Sequence, residues 1–317
     1  NNNLTSEKFY HNQIKIGTYK DFYENGKLKR VYTYKKGALE GPSNEYFKSG
    51  NLKSEKNYLV GKKNGVFSNY YKNGTLKSTL TYKLDTLKEE KYYKKGFKHG
   101  TFREYYDSGK ILNEISYNHN KKEGKENFYY ETGELKSEKN FKDGLQVNTY
   151  EEYFTSGNLK LRAHFNNGIK EGIQNEFYKS GQLKTNTNFL DNKKEGLYKE
   201  YRETGELHYD TNYKNDVKEG THKKYYQSGN IEHAYNYKNN ELDGLIKEFH
   251  GIGTLSSSAN YIKGKPEGIK KEYYNNGLLK MEITFNKGKA IQGNSYMEHG
   301  VKKELTHAHF NNMGLEY

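Results

Sequence analysis

The sequence has no cysteine, no tryptophan, only two prolines and only 32% hydrophobic residues in a chain of 317. Without cysteine it can form no disulfide framework, no Cys-ligated zinc site and no thiol nucleophile. Cysteine usage therefore does not distinguish an oxidising from a reducing compartment. Apolar runs are a few residues long, so no segment is suited to span a membrane. The composition also excludes a large aliphatic core.

Tyrosine and glycine are abundant instead, with 33 and 32 residues. The chain is 29% charged, which is typical of disorder, but disordered chains are poor in aromatic residues and this one contains 15%. We therefore expect the aromatic side chains to form the core. The net charge of +13 favours acidic partners, which include nucleic acid, anionic lipid, acidic protein and acidic glycan.

A glycine-centred motif recurs along the chain and defines its organisation. The turn glycines are Gly26, Gly50, Gly74, Gly109, Gly133, Gly157, Gly181, Gly205, Gly229, Gly253, Gly277 and Gly300. They lie 24 residues apart, except for 35 residues between Gly74 and Gly109 and 23 at the last step. An aromatic residue stands four before each glycine. Leucine or isoleucine follows two after every glycine but the last, and a second aromatic stands six further on.

These offsets are even, and side chains alternate sides along a strand, so the three columns are predicted to share one side of a sheet. Representatives of this predicted core are Tyr105, Tyr129, Tyr153, Phe177, Leu183 and Phe189. Turn signals containing glycine separate the strands. The sequence thus predicts an all-β fold, an elongated single-sheet solenoid of antiparallel β-hairpin repeats, with about twelve repeats of 24 residues.

Three regions follow from this pattern. Residues 1–16 are predicted to form an N-terminal cap, residues 17–288 the repeat array, and residues 289–317 a degenerate C-terminal cap repeat, since open sheet ends need protection. The last region carries Met297, Leu305, Phe310, Met313 and Leu315. An insertion of 11 residues within 75–100 follows the spacing of the repeats, because Leu87 stands six residues before Tyr93 just as Leu76 stands six before Tyr82. The insertion predicts one extra strand.

The motif resembles the bacterial variant of the membrane occupation and recognition nexus (MORN) repeat. Residues 268–293 carry the resemblance well, with the pattern Gly268, Tyr273, Tyr274, Gly277, Leu279, Lys280, Phe285, Gly288 and Gly293. Similar proteins are grouped as YwqK-like antitoxins, and this resemblance implies neutralisation of a partner toxin by binding. Besides the insertion, Asn148 departs from the pattern, since it stands where the second-turn glycine is expected.

Two further columns are candidates for contact with a partner. Tyrosine is common three before the turn glycine and lysine three after it, and we expect these columns to be cross-strand neighbours with modest cation–π contacts. They could cover the second side of a thin sheet or bind a ligand. Departures from the consensus, His222 among them, cluster between residues 202 and 256 and favour a specific patch at residues 202–250. The candidate binding residues are Arg202, His208, Tyr226, Glu232, His233 and His250.

Catalytic, cofactor and metal sites find little support. His307 and His309 would share one side of a strand, but solvent-exposed polar residues explain them better than a metal does. A carboxylate recurs in the second turn at Glu40, Glu123, Glu171, Glu195, Glu219 and Glu267, and a position repeated in this way predicts a structural role in a solvated turn. No phosphate loop or nucleophile elbow is present, so no enzyme, cofactor or metal is predicted.

The sequence favours a non-enzymatic protein–protein interaction module, either an envelope or surface scaffold component or an antitoxin-like inhibitor. One alternative is a glycan or cell-wall binder, because rows of tyrosine can stack on sugars. Another is an anionic lipid or nucleic-acid binder, although interleaved acidic residues disfavour nucleic acid. The chain begins at Asn1 without Met. A lipid anchor upstream and a place in the cell envelope are expected over the cytoplasm.

Overall fold

A computed structural model describes residues 4–317 and consists almost entirely of antiparallel strands. Two compact units divide the chain, Asn1–Gly157 and Asn158–Tyr317, here called the first and second unit. The boundary falls inside the array predicted over residues 17–288. The predicted fold class, an all-β fold of antiparallel hairpin repeats, is confirmed. No helical stretch in the described part of the chain has the length and hydropathy required of a membrane span.

The strands of the first unit are β1 Ser6–Glu7, β2 Tyr10–His11, β3 Ile14–Lys15, β4 Gly17–Phe22, β5 Leu28–Lys35, β6 Ala38–Tyr46, β7 Leu52–Leu59, β8 Lys62–Lys63, β9 Gly65–Tyr70, β10 Leu76–Lys83, β11 Thr86–Lys94, β12 Phe97–Lys98, β13 Gly100–Tyr105, β14 Ile111–Asn118, β15 Lys121–Tyr129, β16 Leu135–Lys142 and β17 Leu145–Tyr153.

The second unit contains β18 Leu159–Asn166, β19 Ile169–Lys170, β20 Gly172–Phe177, β21 Leu183–Leu190, β22 Lys193–Lys194, β23 Gly196–Tyr201, β24 Leu207–Lys214, β25 Val217–Tyr225, β26 Ile231–Lys238, β27 Glu241–Leu242, β28 Gly244–Phe249, β29 Leu255–Ile262, β30 Lys265–Tyr273, β31 Leu279–Asn286, β32 Lys289–Tyr296, β33 Lys302–Glu304 and the helix α1 His307–Asn312.

A β-bulge follows the turn glycine and sets the side on which each residue lies. In the hairpin of β6 and β7, Tyr46 pairs with Leu52 but Glu45 pairs with Ser54, so Lys53 is the extra residue. The same shift recurs in the hairpins around the other turn glycines from Gly26 to Gly277 for which the pairing is described. Such an extra residue interrupts the alternation of sides along its strand. Even offsets across the bulge therefore lead to opposite sides of the sheet.

Each repeat consequently has a buried side and an outer side. The buried side carries the residues seven before and four, six and eight after the turn glycine, and every buried residue from Tyr19 to Phe285 occupies one of these positions. Rings pack there: Phe67 lies 4.9 Å from Tyr82, and Phe102 lies 4.6 Å from Tyr117, between ring centroids. Aromatic pairs of this kind add about 0.5–1.5 kcal/mol each to the energy of burial.

The prediction that the two aromatic columns and the leucine column share one side is wrong. Five of the predicted core residues, Tyr105, Tyr129, Tyr153, Phe177 and Leu183, lie half-buried on the outer side, whereas Phe189 lies on the buried side. The bulge is the reason, because it separates the leucine two after the glycine from the aromatic eight after it. The column seven before the glycine lies on the buried side with this second aromatic, although it has no constant residue type.

The insertion adds one strand, as predicted, and also exchanges the two sides of the sheet within the first unit. Strand β11 pairs with β10 through Leu80 and Glu90, and with β13 through Glu89 and Glu104. Leu80 belongs to the buried side of its repeat and Glu104 to that of the next, yet neighbouring residues of β11 face opposite ways. The repeats before and after β11 therefore bury opposite sides of the same sheet.

The terminal segments predicted as caps contact the buried side at each end. Tyr19, 1% exposed, donates its hydroxyl to the carbonyl of Phe9 and meets the edge of Tyr10. At the other end, α1 places Phe310 against Ile283. Around this pair, Phe285, Ala290, Leu305 and Leu315 complete the cluster, whereas Met297 and Met313 stay exposed. Whether either segment protects the sheet from association stays a prediction, and Asn1 lies outside the described residues.

Candidate functional site

The outer side of the second unit carries a regular column of lysines. Lys199, Lys223, Lys247 and Lys271 lie on β23, β25, β28 and β30, each six before a turn glycine. Their strands are separated by one intervening strand, so neighbouring members stand about 10 Å apart. We call these four residues the lysine column. It gives this side of the sheet a regularly spaced positive charge.

An aliphatic column lies beside it, two residues earlier on the same strands and on β20. It consists of Ile173, Leu197, Leu245 and Ile269, which are 41–54% exposed. Thr221 occupies the corresponding place on β25. Half-exposed aliphatic side chains at four of the five places of one column form an apolar strip rather than scattered surface residues. The lysine and aliphatic columns together make an amphipathic surface.

The acidic neighbours of the lysine column are engaged elsewhere. Asp210 is the cross-strand partner of both Lys199 and Lys223, but it accepts a hydrogen bond from Tyr225 at 2.8 Å. Glu282, opposite Lys271, accepts one from Tyr296 at 2.7 Å. Within residues 4–317, no lysine of the column has a carboxylate oxygen within 4.0 Å. The column is therefore free to pair with carboxylates of another molecule.

The corresponding position in the first unit is different. Lys20 pairs with Glu7 at 3.0 Å, and Arg103 pairs with Glu114 at 3.2 Å. Elsewhere this position holds Asn44, Ser68, Asn127 and Glu151. No continuous positive column is thus formed there. The 24-residue recurrence of lysine was visible in the sequence of the second unit, but the predicted patch concentrated on departures from the consensus and missed it.

Three predicted binding residues prove to connect successive repeats. Consensus tyrosines three before the turn glycine donate their hydroxyl to a backbone carbonyl of the next repeat, as Tyr178 does to Tyr201 at 2.8 Å. Arg202 Nη2 makes the same bond to the Tyr225 carbonyl at 2.9 Å, and Tyr226 makes it to Phe249. His250 Nε2 lies 3.1 Å from the Tyr273 carbonyl oxygen. The departures at positions 202 and 250 therefore preserve a structural contact.

The other three, His208, Glu232 and His233, lie on the buried side of the second unit. Glu232 pairs with Lys224 at 2.8 Å, and His208 lies 3.7 Å from Glu200. The ring of His233 stacks on Tyr235 at 4.3 Å. The structure thus separates the six predicted residues into two groups, three at the turns and three on the buried side. Their role in binding stays a prediction.

His222, which lies within the predicted patch at residues 202–250, completes this cluster. Its ring lies 5.5 Å from that of His233 and its Nδ1 lies 2.7 Å from Thr211 Oγ1. Burial lowers the pKa of His222 to about 4 and also lowers the pKa values of His208 and His233. The His222 ring is therefore neutral at pH 7, and burial favours the neutral form of the other two rings as well.

The predicted Tyr–Lys neighbours are confirmed in five repeats. The lysine ammonium lies 5.7–5.9 Å from the ring centroid in Lys29–Tyr23, Lys77–Tyr71, Lys136–Tyr130, Lys184–Tyr178 and Lys280–Tyr274. Contacts of this kind are worth about 0.5–1 kcal/mol when exposed. Because the same tyrosines also bridge repeats, this column has a structural function.

The second-turn glutamates also connect repeats. The carboxylates of Glu40, Glu123, Glu195, Glu219 and Glu267 accept hydrogen bonds of 2.6–3.0 Å from the backbone N–H of a turn residue in the following repeat. The receiving turns adopt positive φ, and Asn148, where glycine is expected, has a φ of 59°, which asparagine tolerates. The predicted structural role of these carboxylates agrees with these bonds.

The predicted strand at His307 and His309 is wrong, because both residues lie in α1. The side chain of Thr306 and that of His309 form a capping box that starts the helix. His307 stacks on Tyr317 at 4.5 Å. No group of three or more His, Asp or Glu side chains arranged to hold a metal lies in the described part of the chain.

Ten segments of the sequence match the MORN repeat variant, at residues 15–36, 39–59, 63–84, 98–119, 122–143, 146–167, 170–191, 194–215, 218–239 and 266–287. The chain belongs to the MORN repeat variant family. The unmatched stretches include the inserted strand β11 and the Gly253 repeat, where His250 stands. As a member of this family the chain is a repeat-based binding module.

Solved structures that match this chain include two crystal structures described as TcdB2-TccC3-Cdc42 and TcdB2-TccC3, and a Photorhabdus luminescens Tc holotoxin pore. Each is 14% identical with a TM-score of 0.20 and covers 93–94% of this MORN repeat chain. This chain spans only 18% of the length of those chains. No curated protein matches the sequence.

Proposed function

We propose that this MORN repeat chain is a non-enzymatic module that binds an acidic, amphipathic segment of another protein on the outer side of its second unit. The observation that carries the proposal is the pairing of the lysine column with the exposed aliphatic column. The lysines supply charge complementarity, which directs association and orientation. The aliphatic side chains supply apolar area whose removal from water is favourable by about 25 cal/mol per Å².

The spacing of the columns defines the partner segment. Lysines about 10 Å apart match carboxylates seven residues apart on one face of a helix. Aliphatic residues of the partner would then lie beside its acids, over Leu197, Leu245 and Ile269. A nucleic-acid backbone would neutralise the lysines but make no use of this apolar strip. The resemblance to YwqK-like antitoxins makes a toxin one candidate partner, and an envelope component is another.

A synthetic peptide tests the proposal directly. The probe is a helical peptide with Glu at every seventh position and Leu on the adjoining stripe, and binding is measured by fluorescence anisotropy. Replacing all four column lysines, Lys199, Lys223, Lys247 and Lys271, with Gln should weaken binding about 30-fold, since each exposed ion pair contributes about 0.5 kcal/mol. The matched control replaces Lys35, Lys62, Lys83 and Lys142, four exposed lysines of the first unit, and should leave affinity within about twofold.

Three results would contradict the proposal. The first is a control variant that loses as much affinity as the column variant. The second is equal binding of an equally acidic peptide without leucine, since the aliphatic column would then contribute nothing. The third is tighter binding to phosphatidylserine vesicles than to the peptide, with the same dependence on the column, which would identify an anionic lipid surface as the ligand.

A further inference from the structure

A cavity of about 270 Å³ opens on the buried side of the first two repeats, within the first unit. Its lining includes Arg30, Tyr32, Glu45, Ser54, Lys56 and Tyr58, contributed by β5, β6 and β7. Pockets for drug-sized ligands occupy roughly 300–1,000 Å³, so this one accommodates a single small ring. It combines aromatic rings, a carboxylate, a hydroxyl and two cations within a space of that size.

Ser54 shows that the lining contains an unused polar group. It is 3% exposed, and its Oγ has no hydrogen-bond partner in residues 4–317. Ser78 occupies the same repeat position one repeat later, and its Oγ lies 3.1 Å from Asn69 Nδ2. Buried polar atoms are normally satisfied, and an unsatisfied one destabilises the fold. A ligand hydroxyl in the cavity would supply the bond that Ser54 lacks.

The charges of the lining are only partly compensated. Glu45 pairs with Lys53 at 3.0 Å, and Arg30 lies 3.9 Å from Asp21. Lys56, in contrast, has no carboxylate within 4.0 Å among the described residues. The lining therefore retains a positive charge for an acidic group. Glu45 keeps free lone pairs for hydroxyl donors, because an ionised carboxylate accepts about four hydrogen bonds.

We infer that this cavity binds one carboxylated sugar ring of the uronic acid class. The carboxylate pairs with Lys56, assisted by Arg30, and the ring hydroxyls bond to Glu45 and Ser54. Apolar C–H groups of the ring pack against the tyrosines. A neutral sugar lacks the group that Lys56 requires, and a simple carboxylate lacks the hydroxyls and the ring. This inference is independent of the protein-binding proposal, which rests on residues of the second unit.

Titration of the full chain with glucuronate, glucose and acetate, followed by NMR, tests the inference. Glucuronate should bind at least about tenfold more tightly than either glucose or acetate. Glucose lacks the charged contact of the carboxylate, and acetate lacks the hydrogen bonds of the ring hydroxyls. Replacing Ser54 with Ala should weaken glucuronate binding about fivefold, the effect of one hydrogen bond. The matched variant Ser78→Ala should leave it unchanged, because Ser78 lies outside the cavity lining.

The variant Lys56→Gln is a second test, since it keeps a polar side chain and removes the positive charge. In this variant glucuronate and glucose should bind equally. The inference is overturned if glucuronate binds no better than glucose, if acetate binds as tightly as glucuronate, if no ligand binds, or if Ser54→Ala and Ser78→Ala behave alike. Amide exchange of β5–β7 in each variant shows whether a loss of binding arises from unfolding instead.

Discussion

The two units use the same repeat with different chemistry. Seven residues before the turn glycine, the first unit buries the rings of Tyr19, Phe67 and Phe102 together with Glu126, whereas the second unit buries Gln174 and Ile246 and has the half-buried His222. The outer sides also differ. The second unit carries the lysine and aliphatic columns, whereas the first unit has ion-paired residues at the position of the lysine column. The turns and strand pairing maintain the repeat in both, so the remaining positions are free to differ.

The units also differ in which side they bury. In the second unit one side carries the buried residues throughout, from Ala163 to Phe285. In the first unit the buried side changes at β11, since one additional strand reverses the direction of every later strand. An insertion of an odd number of strands therefore moves a binding surface to the other side of a sheet without altering the repeat itself.

Removing the insertion should make the first unit resemble the second, and this is the largest effect we expect. Deleting residues 86–96 restores a 24-residue spacing between Gly74 and Gly109. Thr79 and Arg103 would then become direct cross-strand partners, as Asn186 and Lys199 are in the second unit. The chain has no native cysteine, so Thr79→Cys with Arg103→Cys should form a disulfide in the deletion variant.

In the full-length chain the same two cysteines lie on strands separated by β11 and on opposite sides of the sheet, so they should stay reduced. Thiol counting after mild oxidation distinguishes the two results. Disulfide formation in both chains, or in neither, would contradict the exchange of sides.

The assignment of buried and outer sides in the first unit predicts the next largest effect. Phe102 is 6% exposed, so Phe102→Ala should lower the free energy of unfolding by about 3–5 kcal/mol. Replacing Tyr105, the half-buried aromatic on the outer side of the same strand, with Ala should lower the free energy of unfolding by only about 1–2 kcal/mol. Urea unfolding followed by circular dichroism measures both. If Tyr105→Ala lowered the free energy of unfolding more than Phe102→Ala does, the core predicted from the sequence would be correct.

The histidine cluster should make the second unit more sensitive to mild acid than the first. The pKa of His222 is lowered to about 4 in the folded chain, and an unfolded histidine titrates near 6.5. Between these values the unfolded chain binds more protons, so this stability is complete above pH 6.5 and is lost as the pH falls towards 4. Because His222 is partly exposed, we expect a loss of about 1 kcal/mol between pH 7 and pH 5.

Hydrogen exchange of β25 and β26, compared with β13 and β14 at both pH values, measures this difference. The variant His222→Gln should remove most of the pH dependence of β25 and β26. Equal losses of protection in both strand pairs, or an unchanged pH response in the variant, would mean that the cluster does not cause it.

The smallest effect concerns the bonds between repeats, which both units share. Tyr178→Phe removes the hydroxyl bonded to the Tyr201 carbonyl and should cost about 1 kcal/mol. Arg202→Tyr exchanges one donor for another at the same place and should be nearly neutral, as should His250→Tyr. Urea midpoints test this order. A loss from Arg202→Tyr as large as that from Tyr178→Phe would show that Arg202 has a further role.

The sequence was sufficient to predict the repeat, its strands and turns, and the additional strand, because period, glycine position and side-chain type are local properties. It also contained the lysine column, at a constant offset from the turn glycines. It could not indicate which columns share a side. A one-residue bulge leaves the offsets even and yet reverses the side, so Leu183 and Phe189 separate. Only pairing between strands decided which residues are buried, since burial depends on neighbours distant in the chain.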